Sequence, residues 1–136
     1  MVSKSTNGCS PIGTFNNKKF PSISVGATEN AILAAACAKG KTIISNCAIE
    51  PEIQDLIAFM QKMGCNIKFI GKRKILIVGI KKFKAVTHEV IFDRIELGTY
   101  IIAAALSGKK VVFFNIKSKI IEKKIKLLKK MGVKMT

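Results

Sequence analysis

Residues 20–46 read FPSISVGATENAILAAACAKGKTIISN, and EPEIQDL follows from Glu50 to Leu56. The run Ser22-Ile23-Ser24-Val25 is extended in character and turns at Gly26-Ala27-Thr28 into an alanine-rich helix. Such a turn presents backbone N–H groups that have no carbonyl behind them, so an anion can sit at the helix start. Ser24 and Gly26 are small enough to let a phosphate or a sugar approach the backbone. The same turn is also common as plain structure in buried α/β connections, and both readings stand at this level.

Outward from that stretch the chain alternates helix and strand. Glu29 to Lys39 reads as a helix that is apolar almost all round, from Ile32 through Cys37, which predicts burial on every side. Gly40 ends it, and Thr42 to Asn46 is a short strand. Pro51 stands at a first helical position with Glu52 in the first turn. Ile53, Leu56, Ile57, Met60 and Met63 then recur at three and four, an amphipathic helix closed by Gly64. Cys65 to Ile70 and Lys74 to Ile80 read as strands around a Gly71-Lys72-Arg73 turn, and Val86 to Phe92 as another strand. Asp93 is poised as an N-cap for a helix over Arg94 to Ser107, again apolar through Ile101 to Ala105 and stopped by Gly108. Lys110 to Phe114 reads as a strand, Ile121, Ile125 and Leu128 as an amphipathic helix ending at Gly132, and Val133 to Met135 as the start of one more strand. Residues 1–20 are polar, show neither period, and read as a loop or disordered lead.

The pattern repeats. Ile32-Leu33-Ala34-Ala35-Ala36 with Gly40-Lys41 returns as Ile101-Ile102-Ala103-Ala104-Ala105 with Gly108-Lys109, and Met63-Gly64 returns as Met131-Gly132. Each copy is strand, apolar helix, strand, amphipathic helix, strand. Repeated units stack like faces around a shared core, so the two apolar helices belong innermost with sheets outside.

Bulk composition narrows the function. The 136 residues hold enough chain for one core, and no apolar run is long enough to span a bilayer. The start, MVSKSTNGCSP, lacks the apolar centre of a secretion signal, so a cytoplasmic protein is expected. Net charge is +16, from 24 basic and 8 acidic residues. Lysine supplies nearly all of it, spread through the chain, without an arginine-rich arm, zinc-finger spacing or an aromatic stacking ladder. A compositional bias explains it better than a specific nucleic-acid partner, although the summed field attracts anionic metabolites. The cysteines are Cys9, Cys37, Cys47 and Cys65; none forms a C-x-x-C pair, and one histidine is too few for a Cys/His metal site. Reduced thiols are expected.

SVGATEN with its alanine-rich helix, the GKT-I-I-N strand, EPEI-D, and FDRIELGTYIIAAALSG together resemble the enolpyruvyl transferases, over roughly Ser22 to Thr136. The resemblance implies an inside-out α/β prism, with helices within and sheets without, here incomplete: a lead over 1–21 and a partial prism domain over 22–136 of about two repeat units. It implies transfer of the enolpyruvyl group of phosphoenolpyruvate to UDP-N-acetylglucosamine, a step of peptidoglycan synthesis, with no metal or organic cofactor. The alternative is a non-catalytic prism fragment that retains at most UDP-sugar binding. Carried residue by residue, Ser24, Val25 and Gly26 fall on the nucleotide contact segment, and Ser22 falls where relatives often have a lysine. Asn7-Gly8-Cys9-Ser10-Pro11-Ile12-Gly13 is similar to the catalytic-loop string, with an Asn for the first Gly and one extra residue, and makes Cys9 the candidate acid. Glu50, Glu52, Asp93 and Arg94 match motif positions near the cleft between domains. Glu50 and Asp93 read equally well as helix caps, and Arg94 as a partner for a core carboxylate. The lead between Cys9 and the SVGAT string is shorter than in the family. The chain is therefore expected to need a second chain carrying the missing domain, or to self-associate through the helix faces and sheet edges that an incomplete prism leaves open. No membrane partner is expected.

Overall fold

The computed structural model describes residues 12–14, 17–116 and 118–135. The chain divides into two compact units, one ending at Glu89 and the other beginning at Val90. The boundary falls between the two copies of the repeat.

In the first unit, short strands β1 (Ile12–Thr14) and β2 (Lys18–Lys19) precede helix α1 (Val25–Cys37). Strands β3 (Ala38–Lys39) and β4 (Lys41–Ser45) follow, then helix α2 (Pro51–Lys62) and the hairpin β5 (Asn66–Gly71) and β6 (Lys74–Val78). β1 pairs in parallel with β3. The main sheet has the order β2-β4-β6-β5, parallel between β2 and β4 and antiparallel elsewhere. Strand register puts Ile44 opposite Ile75, and Thr42 opposite Ile77, which also faces Ile67. All five are buried, as the period-two pattern of a one-sided sheet requires. α1 and α2 lay Ala31, Ile32, Ala35, Ala36, Ile53, Ile57 and Met60 into the same core. At the end of β6 the chain runs so close to β3 that a Cβ on Gly79 would lie 1.7 Å from the Ala38 carbonyl oxygen, so no other residue fits there.

The second unit is helix α3 (Arg94–Ser107), a 3₁₀ turn over Ser118–Ile121 and helix α4 (Glu122–Lys130). Its small core is Leu97, Ile101 and Ile121, with Phe92, Phe113, Ile116, Ile125 and Leu128 against it. Asp93 caps α3 as expected, and Gly108 closes it in the left-handed conformation at φ 65°.

Several expectations need correction. Ser22–Val25 is no strand: Ser24 is the N-cap, extended at φ −142° and ψ 129°, and Val25 is already helical, so α1 begins four residues early. Residues 12–14 and 18–19, read as structureless, form strands. They are too short to show a period, and they pair in parallel with β3 and β4. Val86–Phe92, Lys110–Phe114 and Val133–Met135 are not strands, since no described strand offers them a ladder. Nor are the apolar helices covered all round. α1 buries the face of Thr28, Ala31, Ile32, Ala35 and Ala36 while Leu33 is 46% exposed; Ile102 and Leu106 of α3 are also open. The expectation of reduced thiols holds for Cys47 and Cys65, which are free and buried, but Cys37 is in a disulfide.

Residues 79–89 run as an irregular strap over the first unit, fastened along its length. Gly79 N donates to Gly40 O at 3.0 Å, Ile80 N to Ala36 O at 2.9 Å and Lys84 N to Met63 O at 2.9 Å. Phe83 packs on the core. The last fastening is His88, whose Nε2 lies 3.1 Å from Asp55 Oδ1 on α2 and whose ring tilts against Phe59. Both side chains are largely buried, and His88 Nδ1 has no hydrogen-bond partner among the described residues. Asp55→Ala therefore strips a buried imidazole of its polar contact, and we expect a loss of about 1–3 kcal/mol in urea unfolding. A loss below the error of the measurement would show that the pair holds nothing.

Candidate functional site

The start of α1 is built by its cap. Ser24 Oγ accepts from Ala27 N at 3.2 Å, and Ser24 O accepts from Thr28 N at 3.1 Å and from the Thr28 hydroxyl at 2.7 Å. Helix geometry leaves the amides of Val25 and Gly26 with no carbonyl behind them. Gly26 is exposed, and a Cβ there would meet nothing within 4 Å, so the approach to this end is open. Asn30 Nδ2 closes the flank by donating to Gly26 O at 2.8 Å.

Thr28 joins this end to the next motif. Its fully buried Oγ1 accepts from Ala48 N at 3.0 Å, two residues before Glu50. The loop ahead of α2 is held further by Cys47 N donating to Arg73 O at 3.1 Å and by Arg73 Nη1 donating back to Cys47 O at 2.9 Å. The structure thus brings the SVGAT and EPEI strings together at neighbouring helix starts. Glu50 occupies the N-cap position of α2, but its side chain makes no cap bond; Oε2 accepts instead from Ile49 N at 2.7 Å. Glu52 lies half-buried in the first turn of α2.

Asp93 and Arg94 begin α3 in the second unit. Asp93 Oδ1 accepts from Ile95 N at 2.7 Å and from Glu96 N at 3.1 Å. These bonds, Glu96's first, hold its carboxyl below the ordinary aspartate value, with Arg94 and Lys124 adding favourable charge. The cap reading of Asp93 is therefore met, and the carboxylate is ionised at neutral pH. Arg94 is half-buried, and its carbonyl oxygen accepts from Lys124 Nζ at 2.8 Å. Cys9 lies outside the described residues. Burial pushes the Cys47 and Cys65 thiols up, so neither is an activated nucleophile. Among the described residues no group of three His, Cys, Asp or Glu could hold a metal ion, and no helix is long and apolar enough to cross a membrane. A cavity of about 240 Å³ lined by Cys37, Lys39, Gly79 and Lys81 lies at the opposite end of α1 from Ser24, Val25 and Gly26.

Sequence reasoning missed Thr28, although it sits inside the SVGAT string, because a hydroxyl in a helix gives no period. It also missed Asp55, the last letter of EPEI-D, which is turned to His88.

A fold of alternating helix and strand, with two motif strings meeting at neighbouring helix starts and an ionised aspartate opening a third helix, is that of an enolpyruvyl-type transferase domain. The chain belongs to the EPSP synthase (3-phosphoshikimate 1-carboxyvinyltransferase) family, whose profile matches residues 10–136. It is 55% identical over 120 residues to the UDP-N-acetylglucosamine 1-carboxyvinyltransferase of Pelagibacter ubique, covering 88% of this chain and 29% of that protein. To the enzyme of the same name numbered 1 in Clostridium acetobutylicum it is 48% identical over 116 residues, 85% of this chain and 27% of the relative. Among solved structures, the enolpyruvyl transferase NikO from Streptomyces tendae matches with a TM-score of 0.54 and 28% identity, over 59% of this chain and 19% of that one. The chain thus spans less than a third of the length of these relatives.

Two outcomes follow. Thr28→Val keeps the shape but leaves the buried Ala48 N–H without its acceptor, and we expect about 1–3 kcal/mol of destabilisation in urea; a neutral result would remove the junction from the argument. Because the folded-state pKa of Asp93 is depressed, its contribution is present above the unfolded-state value and is lost as pH falls through the folded one. The stability gap between the native chain and Asp93→Asn should therefore close on acidification, and a gap that is constant with pH would refute it.

Proposed function

We propose that this chain carries part of the site at which an enolpyruvyl group passes from phosphoenolpyruvate to UDP-N-acetylglucosamine. The observation that supports it most is the 55% identity over 120 residues to an enzyme named for that transfer. The geometry fits the need. The open start of α1, at Ser24, Val25 and Gly26, offers backbone donors of the kind a nucleotide phosphate takes. The reaction also requires a base for the sugar hydroxyl, an acid for the enol carbon, and cations for the phosphate and carboxylate of the donor. Glu50, Glu52, Asp93 and Arg94 are proposed as cleft residues, with Asp93 ionised and exposed; Cys9, as a free thiol, is the proposed acid; the base for the sugar hydroxyl has no counterpart among these residues. No cofactor enters. On this reading the chain works in the cytoplasm, and a second chain with the remaining family elements, or a second copy, completes the site.

Two measurements on the purified chain test this. Isothermal titration with UDP-N-acetylglucosamine should show binding that weakens with Gly26→Val, which fills the approach to the α1 amides. Phosphate release from phosphoenolpyruvate plus the nucleotide sugar, with Cys9→Ala as control, reports turnover. Binding without release would mark a binding fragment that needs its partner, and absence of binding would sink the proposal.

A further inference from the structure

Gly98 lies in the middle of α3, where glycine costs about 0.5–1 kcal/mol relative to alanine. The reason for it is across the helix pair. A Cβ on Gly98 would lie 2.6 Å from Lys124 Nζ and 3.3–3.4 Å from its Cδ and Cε. The missing side chain is the notch in which Lys124 of α4 rests, half-buried, with its ammonium donating to the Arg94 carbonyl at 2.8 Å. That carbonyl belongs to the first residue of α3, directly after Asp93. A lysine stem laid along a helix could serve as packing alone. Here the head group is bonded at a helix end that carries a candidate site carboxylate.

The geometry points to Lys124 as a positioning residue for Asp93: seated in the Gly98 notch, it ties α4 to the first turn of α3 and keeps a fixed positive charge beside the aspartate. The inference rests on the reading of Asp93 as a site residue, but its test does not. Lys124 adds to the stabilisation of the Asp93 carboxylate, behind the Glu96 and Ile95 amides and together with Arg94. The other charged groups of the two first turns are Glu96 on α3 and Glu122 and Lys123 on α4, and Glu122 reaches Lys126 at 2.6 Å. A cation at the start of a helix opposes the dipole, so its presence at that end suits an anion held there.

The experiment is a carbon-13 NMR titration of the Asp93 carboxyl in the full chain. Lys124→Met keeps the length and the packing but not the charge, and the Asp93 midpoint should move upward. Lys124→Arg should keep it near the native position. Gly98→Ala pushes the flexible lysine head out without harming the helix, and should also raise the midpoint. The double variant Gly98→Ala with Lys124→Met should move it no further than Lys124→Met does. An unchanged midpoint in Lys124→Met, or shifts that add in the double variant, overturns the proposal. Because the titration needs no substrate, a failure of turnover would count against the enzymatic reading and leave this result standing.

Discussion

The buried hydroxyl of Thr28 is the constraint on which the first unit turns. It donates to Ser24 O and accepts from Ala48 N on a fully buried side chain, so its proton and one acceptor site are both used. A neutral hydrogen bond is worth only about 0.5–1.5 kcal/mol net, but a buried group left without one costs about 1–3. The force of the junction is therefore exclusion. Arrangements of α1 and the 46–50 loop that do not bring Thr28 to Ala48 leave polar groups stranded in the core. The neighbouring bonds work in the same direction. Asn46, at φ 62°, donates from Nδ2 to Phe20 O at 3.0 Å, and Phe20 N donates to Ser45 O at 3.1 Å. With the Arg73–Cys47 exchange, the corner after β4 is fastened to β2, to α1 and to the β5–β6 hairpin, and only then does Pro51 start α2.

Much of this was legible because periods report on faces. The Ile53, Ile57, Met60 spacing names the buried stripe of α2, Asp93 and Gly108 bracket α3, and alternation in KTIIS and KILIV names the sheet face. What stayed hidden were contacts between residues distant in sequence that have no period. The Thr28–Ala48 bond spans 20 residues, His88–Asp55 spans 33 and Lys124–Arg94 spans 30. The candidate site shows the same division. Ser24 and Asp93 could be named from capping chemistry and resemblance, but that Glu50 would turn its carboxylate back to Ile49 N depends on local backbone angles.

The strands that failed to appear have one physical cause. Val86–Phe92 has the residues of a strand, yet a strand is stable only in a ladder, and its neighbours fasten it through single bonds at Lys84 and His88 instead. The helices show the complementary case. Residues 32–37 and 101–105 are apolar all round, but Leu33, Ile102 and Leu106 face outward. A hydrophobic pattern records the surroundings a segment is suited to, and on these faces the described residues supply none.

The cap role of Asp93 has an electrostatic consequence. An N-cap carboxylate accepts helix amides, and those same bonds keep it ionised near neutral pH. The positive charges of Arg94 and Lys124 act in the same direction. The carboxylate is thus held as an anion by the very bonds that start the helix, and one group serves both the local fold and the charge at this end of α3.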